Sequence, residues 1–130
     1  MYEYKAQLDR IVDGDTVDAM IDLGFDVWVH KRIRLEGIDA PETRTRDLDE
    51  KAQGFITKDR LTDLLEASNG EFVLLSHGVG KYGRCLGTIM IGEENINKLL
   101  IEEGLAEVYK WNSYLKDGVS IWRRIFWVKS

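Results

Sequence analysis

Three short polar stretches hold the residues of this 130-residue chain best suited to chemistry on a charged substrate: DGDT (13–16), RLEGIDAPET (34–43) and KYGR (81–84). Each one alone reads as a turn. Asp-Gly supplies the positive φ angles of a tight reversal, Asp-x-Pro-Glu is a common exit from a strand, and KYGR is a glycine-containing turn. Their side chains add something more. Asp39 and Glu42 flank Pro41, the one proline of the chain. Carboxylates held close repel each other by several kcal/mol at a protein-like dielectric of about 20, so the pairing implies a cation or a shifted pKa. Arg84 can hold a phosphate bidentately, and Tyr82 can contact it or a sugar. Carboxylates for a metal together with Arg34 and Arg84 for phosphate oxygens form the inventory for cleaving a phosphodiester.

A calcium EF-hand does not fit. Counting from Asp13 as the first ligand puts Val17 fifth, Asp18 where Gly is required and Gly24 where the bidentate Glu belongs. Asp15 remains available as a ligand of a different site.

Composition narrows the classes. With 23 acidic against 18 basic residues and a net charge of -5, bulk electrostatics does not favour a protein that coats nucleic acid, so a polyanion must be met locally. Two histidines and one cysteine are too few for an ordinary structural zinc site; a bound metal should have oxygen ligands. Cys85 cannot form an intrachain disulfide and sits among apolar residues, which predicts a buried free thiol in a reducing compartment. The start MYEYKAQLDRIVDGD has no apolar stretch long enough for a signal peptide, and no membrane span is found. The expectation is a soluble protein, cytoplasmic or phage-encoded, with no membrane partner.

The elements that must position these residues follow from periodicity. No repeat or linker is present, which predicts one domain over residues 1–130. Residues 4–12 and 16–23 read as a hairpin, and 27–35 as a third strand with Val27, Val29, Lys31, Ile33 and Leu35 on one face and Trp28, His30, Arg32 and Arg34 on the other. A helix is expected over 49–67, with Gly54, Thr57, Leu61, Leu64 and Leu65 as its apolar stripe; Phe55 and Ile56 fall off it. Strands at 71–76 and 86–91 and a short helix at 96–103, ended by Gly104, complete the order. The aromatic and basic tail IWRRIFWVKS is expected to pack against the domain, over Phe55 and Ile56.

In order and approximate spacing, DGDT, RLEGIDAPET, KYGR and INKLLIEEGLAEVY (96–109) resemble the staphylococcal nuclease (thermonuclease) family across residues 4–109, leaving a divergent tail at 110–130. The resemblance implies an α+β fold, mainly an OB-type five-stranded barrel with two to three packed helices. It also implies a Ca2+-dependent endonuclease, a hydrolase that cleaves DNA and RNA with little sequence specificity. The 5′ oxygen leaves, giving 3′-phosphate ends. By similarity, Asp15, Asp39 and the backbone carbonyl of Ala40 would ligate Ca2+, while Asp13 is a turn residue or lies behind the ligands. Glu42 would act as general base or orient water, and Arg34 and Arg84 would neutralise developing charge. Lys81, Tyr82 and Tyr109 would bind substrate, with single-stranded or locally opened nucleic acid preferred and a monomeric protein expected. Pro41 fixes its own φ and restricts Ala40, holding Asp39, Ala40 and Glu42 in one relation.

The chain departs from the family in several places. Ala40 stands where many members have Thr, which a main-chain ligand tolerates. Gly80 precedes Lys81 where an acidic residue is usual, and the segment after Thr43 is shorter, with Arg44 and Arg46 either touching nucleic-acid backbone or simply solvated. The family's substrate-facing tyrosine aligns near Lys110, leaving Tyr109, Trp111 or Tyr114 as substitutes. The alternative function is a catalytically weak or inactive nucleic-acid or protein binding module. It would be marked by loss of Asp15, Arg34, Asp39, Glu42 or Arg84, all of which are present. A Ca2+-stabilised structural domain would leave the paired arginines unexplained.

Overall fold

The computed structural model describes residues 2–79 and 84–108. In chain order its elements are β1 (Tyr2–Asp13), β2 (Thr16–Asp22), β3 (Trp28–Leu35), β4 (Ile38–Asp39), α1 (Leu48–Glu66), β5 (Glu71–Val79), β6 (Cys85–Ile91), β7 (Glu94–Asn95), α2 (Ile96–Glu102) and β8 (Glu107–Val108). Alternating side chains make β1 to β3 an antiparallel meander, and β1 also pairs antiparallel with β5, which pairs with β6. A short parallel pairing of Ile33–Leu35 with Cys85–Gly87 joins β3 to β6 and closes a five-stranded mixed barrel, of OB type as expected. Closure removes the exposed sheet edge at that end.

The barrel interior holds Val17, Ala19, Ile21, Ile33, Leu35, Phe72, Leu74 and Ile89. Two helices cover it. Helix α1 is capped by Asp47, whose carboxylate accepts the N–H groups of Asp49 and Glu50 at 3.1 and 3.2 Å. It buries Glu50, Gly54, Thr57, Leu61 and Leu65, spaced as one face of a helix. Helix α2 buries Ile96, Asn97 and Leu100. Asn97 Oδ1 accepts the Ile89 N–H at 3.1 Å, and its Nδ2 donates to the carbonyls of Glu36 and Gly87 at 2.9 and 3.1 Å, fixing α2 to the closing strand.

Some expectations are corrected. Gly14 does not adopt a positive φ; the turn needs glycine for space, because a Cβ there would collide with the Thr57 methyl and lie 3.1 Å from the Ala40 Cβ. Lys31 is exposed, although it shares the inward register of Ile33 and Leu35. Leu23 and Val27 belong to the β2–β3 turn, not to strands, and are half exposed. Three two-residue strands, β4, β7 and β8, lie outside the predicted set; pairs that short carry no periodicity. Cys85 is free but only partly buried. Phe55 and Ile56 are 43% and 48% exposed, and the tail expected to cover them lies outside the described residues. Among the described residues, no helix is long and apolar enough to cross a membrane.

Candidate active site

Asp15 is the junction of the site. It lies in the two-residue loop between paired Asp13 and Thr16, and its backbone carbonyl accepts the Leu35 N–H at 2.8 Å, tying the turn to the end of β3. Its carboxylate is 8% exposed as a residue. Oδ1 accepts the Thr16 hydroxyl at 2.9 Å, and Oδ2 accepts the Ala40 N–H at 2.9 Å. Through its side chain and its carbonyl together, Asp15 thus ties its own turn to the end of β3 and to the segment at Ala40.

Strand alternation points Arg34 away from buried Ile33 and Leu35, into the same place. Its Nη1 donates to the Leu35 carbonyl at 2.9 Å, and its Nη2 stands 3.5 Å from Asp15 Oδ2 and 3.6 Å from Asp39 Oδ1. A single guanidinium nitrogen is therefore shared by two carboxylates. Asp39 is held from behind, since β4 pairs with β8 through Ile38–Val108 and Asp39–Glu107.

After Asp39 the chain alternates without forming a ladder: Pro41 and Thr43 are buried, Glu42 and Arg44 exposed. The Thr43 hydroxyl donates to Asp13 Oδ1, and the Glu42 N–H donates to Glu50 Oε2 at 3.2 Å. Asp13, Asp15, Asp39 and Glu42, with Thr16 and Ala40, line a cleft of about 360 Å³ that also receives Arg34, Arg44 and Arg84. A larger groove of about 470 Å³ at the other end of the barrel, between Lys5, Trp28, Phe72 and Met90, brings together no comparable set of charges.

The carboxylates outnumber their local compensation. Burial, then the neighbouring Asp15 charge, push Asp39 up to about 6; Arg34 opposes this, and Glu42 and Glu50 add to it. Glu42 reaches solvent, yet burial of part of its carboxylate and the charges of Glu50, Asp13 and Asp15 raise it too. Among the described residues, no three of His, Cys, Asp and Glu converge to hold a metal by side chains alone. The donor set is instead two carboxylates beside a polar backbone, all oxygen, with an unmet preference for positive charge. That chemistry fits a hard cation.

The structure thus brings Asp15, Arg34, Asp39, Ala40, Glu42 and Arg84 to one cleft, while Lys81, Tyr82 and Tyr109 lie outside the described residues. Sequence reasoning missed Glu50 and Thr43. Glu50 is 8% exposed and lies one turn before Gly54; extending the apolar stripe backwards would have marked it as an inward-facing carboxylate.

A closed barrel with this cleft at its rim defines an OB-type domain built around clustered carboxylates and arginines. A sequence model of the family described as staphylococcal nuclease homologue matches residues 32–121, and the chain belongs to that family. It is 30% identical over 118 residues to a micrococcal nuclease of Shigella flexneri, covering 84% of this chain and 60% of that protein. It is 36% identical over 104 residues to a thermonuclease of Staphylococcus intermedius, covering 75% and 55%. Over 114 residues it is 35% identical to endonuclease YhcR of Bacillus subtilis (strain 168), covering 82% of this chain and 9% of that protein. The chain therefore spans less than two thirds of the length of each of these relatives.

Proposed function

We propose that this chain is a Ca2+-dependent nuclease, hydrolysing phosphodiester bonds of DNA and RNA with little sequence specificity and leaving 3′-phosphate ends. The observation that carries the reading is the Arg34 guanidinium shared between Asp15 and Asp39, in a cleft whose remaining charges are Asp13, Glu42, Arg44 and Arg84. The names of the relatives, two nucleases and an endonuclease, favour the same class.

Asp15 and Asp39, with the Ala40 carbonyl, would hold the calcium ion, which when bound polarises the phosphate and eases deprotonation of water. The chain's own groups do the rest. Glu42, its carboxyl raised by partial burial and by the charges of Glu50, Asp13 and Asp15, accepts the proton of the attacking water. The water oxygen bonds to phosphorus in line with the departing 5′ oxygen, which takes a proton from solvent. Arg34 and Arg84 donate to the non-bridging oxygens, where charge grows most in the transition state. Among the described residues the cleft offers charges that suit phosphates rather than base edges, so on this reading sequence selectivity is weak and single-stranded or opened substrate is favoured. The protein acts as a monomer on this reading.

The test is cleavage of end-labelled single-stranded DNA with Ca2+, with Ca2+ plus chelator, and by Glu42→Gln. Cleavage that needs Ca2+, collapses in folded Glu42→Gln and leaves 3′-phosphate ends is the expected result. A folded, Ca2+-binding protein that does not cleave would replace this reading with a binding module.

A further inference from the structure

We propose that Arg44 binds a second phosphate of the substrate strand, next to the one being cleaved, so that the cleft favours a polynucleotide over an isolated phosphodiester. The inference rests on the phosphodiesterase reading above and assigns a substrate contact to a residue outside its catalytic set.

Arg44 lines the same cleft as Glu42 and Arg34. The segment that carries it is anchored, because buried Thr43 donates its hydroxyl to Asp13 Oδ1 and Pro41 is buried. With Thr43 turned inward, Glu42 and Arg44 are turned outward on one side. The chain bends at Thr43 and Arg44, so the Cα atoms of Glu42 and Arg44 lie within the roughly 7 Å that two residues can span at most, about one nucleotide step along a stretched strand. A phosphate one step from the reacting one therefore falls within the side chain's range.

The charge distribution favours such a contact. Arg34 is already engaged by Asp15, Asp39 and the Leu35 carbonyl, whereas among the described residues Arg44 has no hydrogen bond or ion pair. Asp13, Glu42 and Glu50 repel any phosphate approaching this rim, and the chain's net charge of -5 supplies no general attraction. Arg46, two residues further on, is exposed but does not line the cleft, which makes it a control of equal charge.

The experiment compares a thymidine dinucleoside monophosphate, which has one phosphodiester and no neighbouring phosphate, with a longer oligothymidylate. Wild type, Arg44→Gln and Arg46→Gln are assayed on both across a salt series. Arg44→Gln should lower kcat/KM on the oligothymidylate roughly tenfold, the scale of one charge-assisted contact, mainly through KM. It should flatten the log–log salt slope by about 0.7 and lower the dinucleoside monophosphate rate far less than the oligothymidylate rate. Arg46→Gln should change little. Equal losses on both substrates, no loss on either, or an equal effect of Arg46→Gln would each overturn the assignment. If wild type cleaves neither substrate, the nuclease reading fails by itself. Arg44 is then tested by fluorescence anisotropy of the uncleaved oligothymidylate, where only Arg44→Gln should weaken binding.

Discussion

Gly54 presses against the backbone of Glu42: a Cβ added to Gly54 would lie 2.7 Å from the Glu42 carbonyl oxygen and 2.8 Å from that of Pro41. The same helix face meets the Asp13–Thr16 turn one turn later, where Thr57 leaves no room for a Cβ on Gly14. Two glycines thus let α1 support both loops that carry the carboxylates. In an ordinary helix, Gly→Ala stabilises by about 1 kcal/mol. At position 54 the sign should reverse, because backbone atoms cannot yield as a side-chain end does, and a loss of about 1–3 kcal/mol is expected. Urea denaturation of Gly54→Ala measures it; a stabilised variant would show that helix and loop are not in contact.

Asn97 satisfies three backbone groups on two segments from one side chain that is nearly buried. Removing it leaves the Ile89 N–H without its partner and weakens the bond between α2 and the closing strand. Asn97→Ala should cost roughly 2–4 kcal/mol, since buried donors and acceptors lose more by being abandoned than they gain by being paired. Asn97→Asp should be as harmful, because it replaces a donor with an acceptor facing two carbonyls. A midpoint shift at constant m-value is the expected denaturation result.

The raised Asp39 carboxyl makes a signed prediction about pH. Its folded value of about 6 exceeds the unfolded 3.8, so between these values the folded state binds the extra proton. Its contribution is fully present below about pH 3.8 and is lost as pH rises through about 6. Without metal, wild type should lose roughly 1 kcal/mol of stability from pH 5 to 7, and Asp39→Asn should flatten that slope. Asp18 works in the opposite sense: its hydrogen bond to Arg32 keeps the carboxyl low, and its support is lost as pH falls through that lowered value. Ca2+ binding should release a proton below about pH 6, so affinity measured by titration calorimetry should weaken toward pH 5. Binding indifferent to pH would place the ion away from Asp39.

The barrel and much of its cleft were legible because they depend on local patterns. Alternation placed Arg34 opposite Ile33 and Leu35, and the Gly54–Leu65 spacing fixed the buried face of α1. What was not legible depends on packing between distant segments. Gly14 looked like a turn residue chosen for φ, yet its need for space comes from Thr57, more than forty positions away in the chain. The β4–β8 pair is two residues long on each side, too short for any periodicity, although it holds Asp39 in place. Glu50 belongs to none of the motifs read from the sequence, and its role as a buried acceptor for the Glu42 N–H appears only once α1 is packed beneath that loop.

Arg34 restrains a partly buried carboxylate and, on the nuclease reading, also contacts the phosphate; a double mutant helps to separate the two. Its charge restrains the Asp39 carboxyl, so Arg34→Ala should raise that group further and destabilise the fold more at pH 8 than at pH 5. Replacing Asp39 by Asn removes the titrating charge, and Arg34→Ala/Asp39→Asn should recover most of the stability lost at pH 8. The chemistry should not recover. An arginine that donates to the phosphate as charge develops accounts for about a hundredfold or more in rate, and losing one proposed calcium ligand as well can only deepen the deficit. Stability by denaturation and kcat on single-stranded DNA, measured for both single mutants and the double, form one thermodynamic cycle. Strong coupling in stability, together with a kcat of Arg34→Ala about a hundredfold or more below wild type at pH 5, where its fold is least affected, would mark Arg34 as both counter-ion and a group acting on the phosphate. Joint rescue of both quantities would reduce it to a structural counter-ion and leave Arg84 as the charge acting on the phosphate.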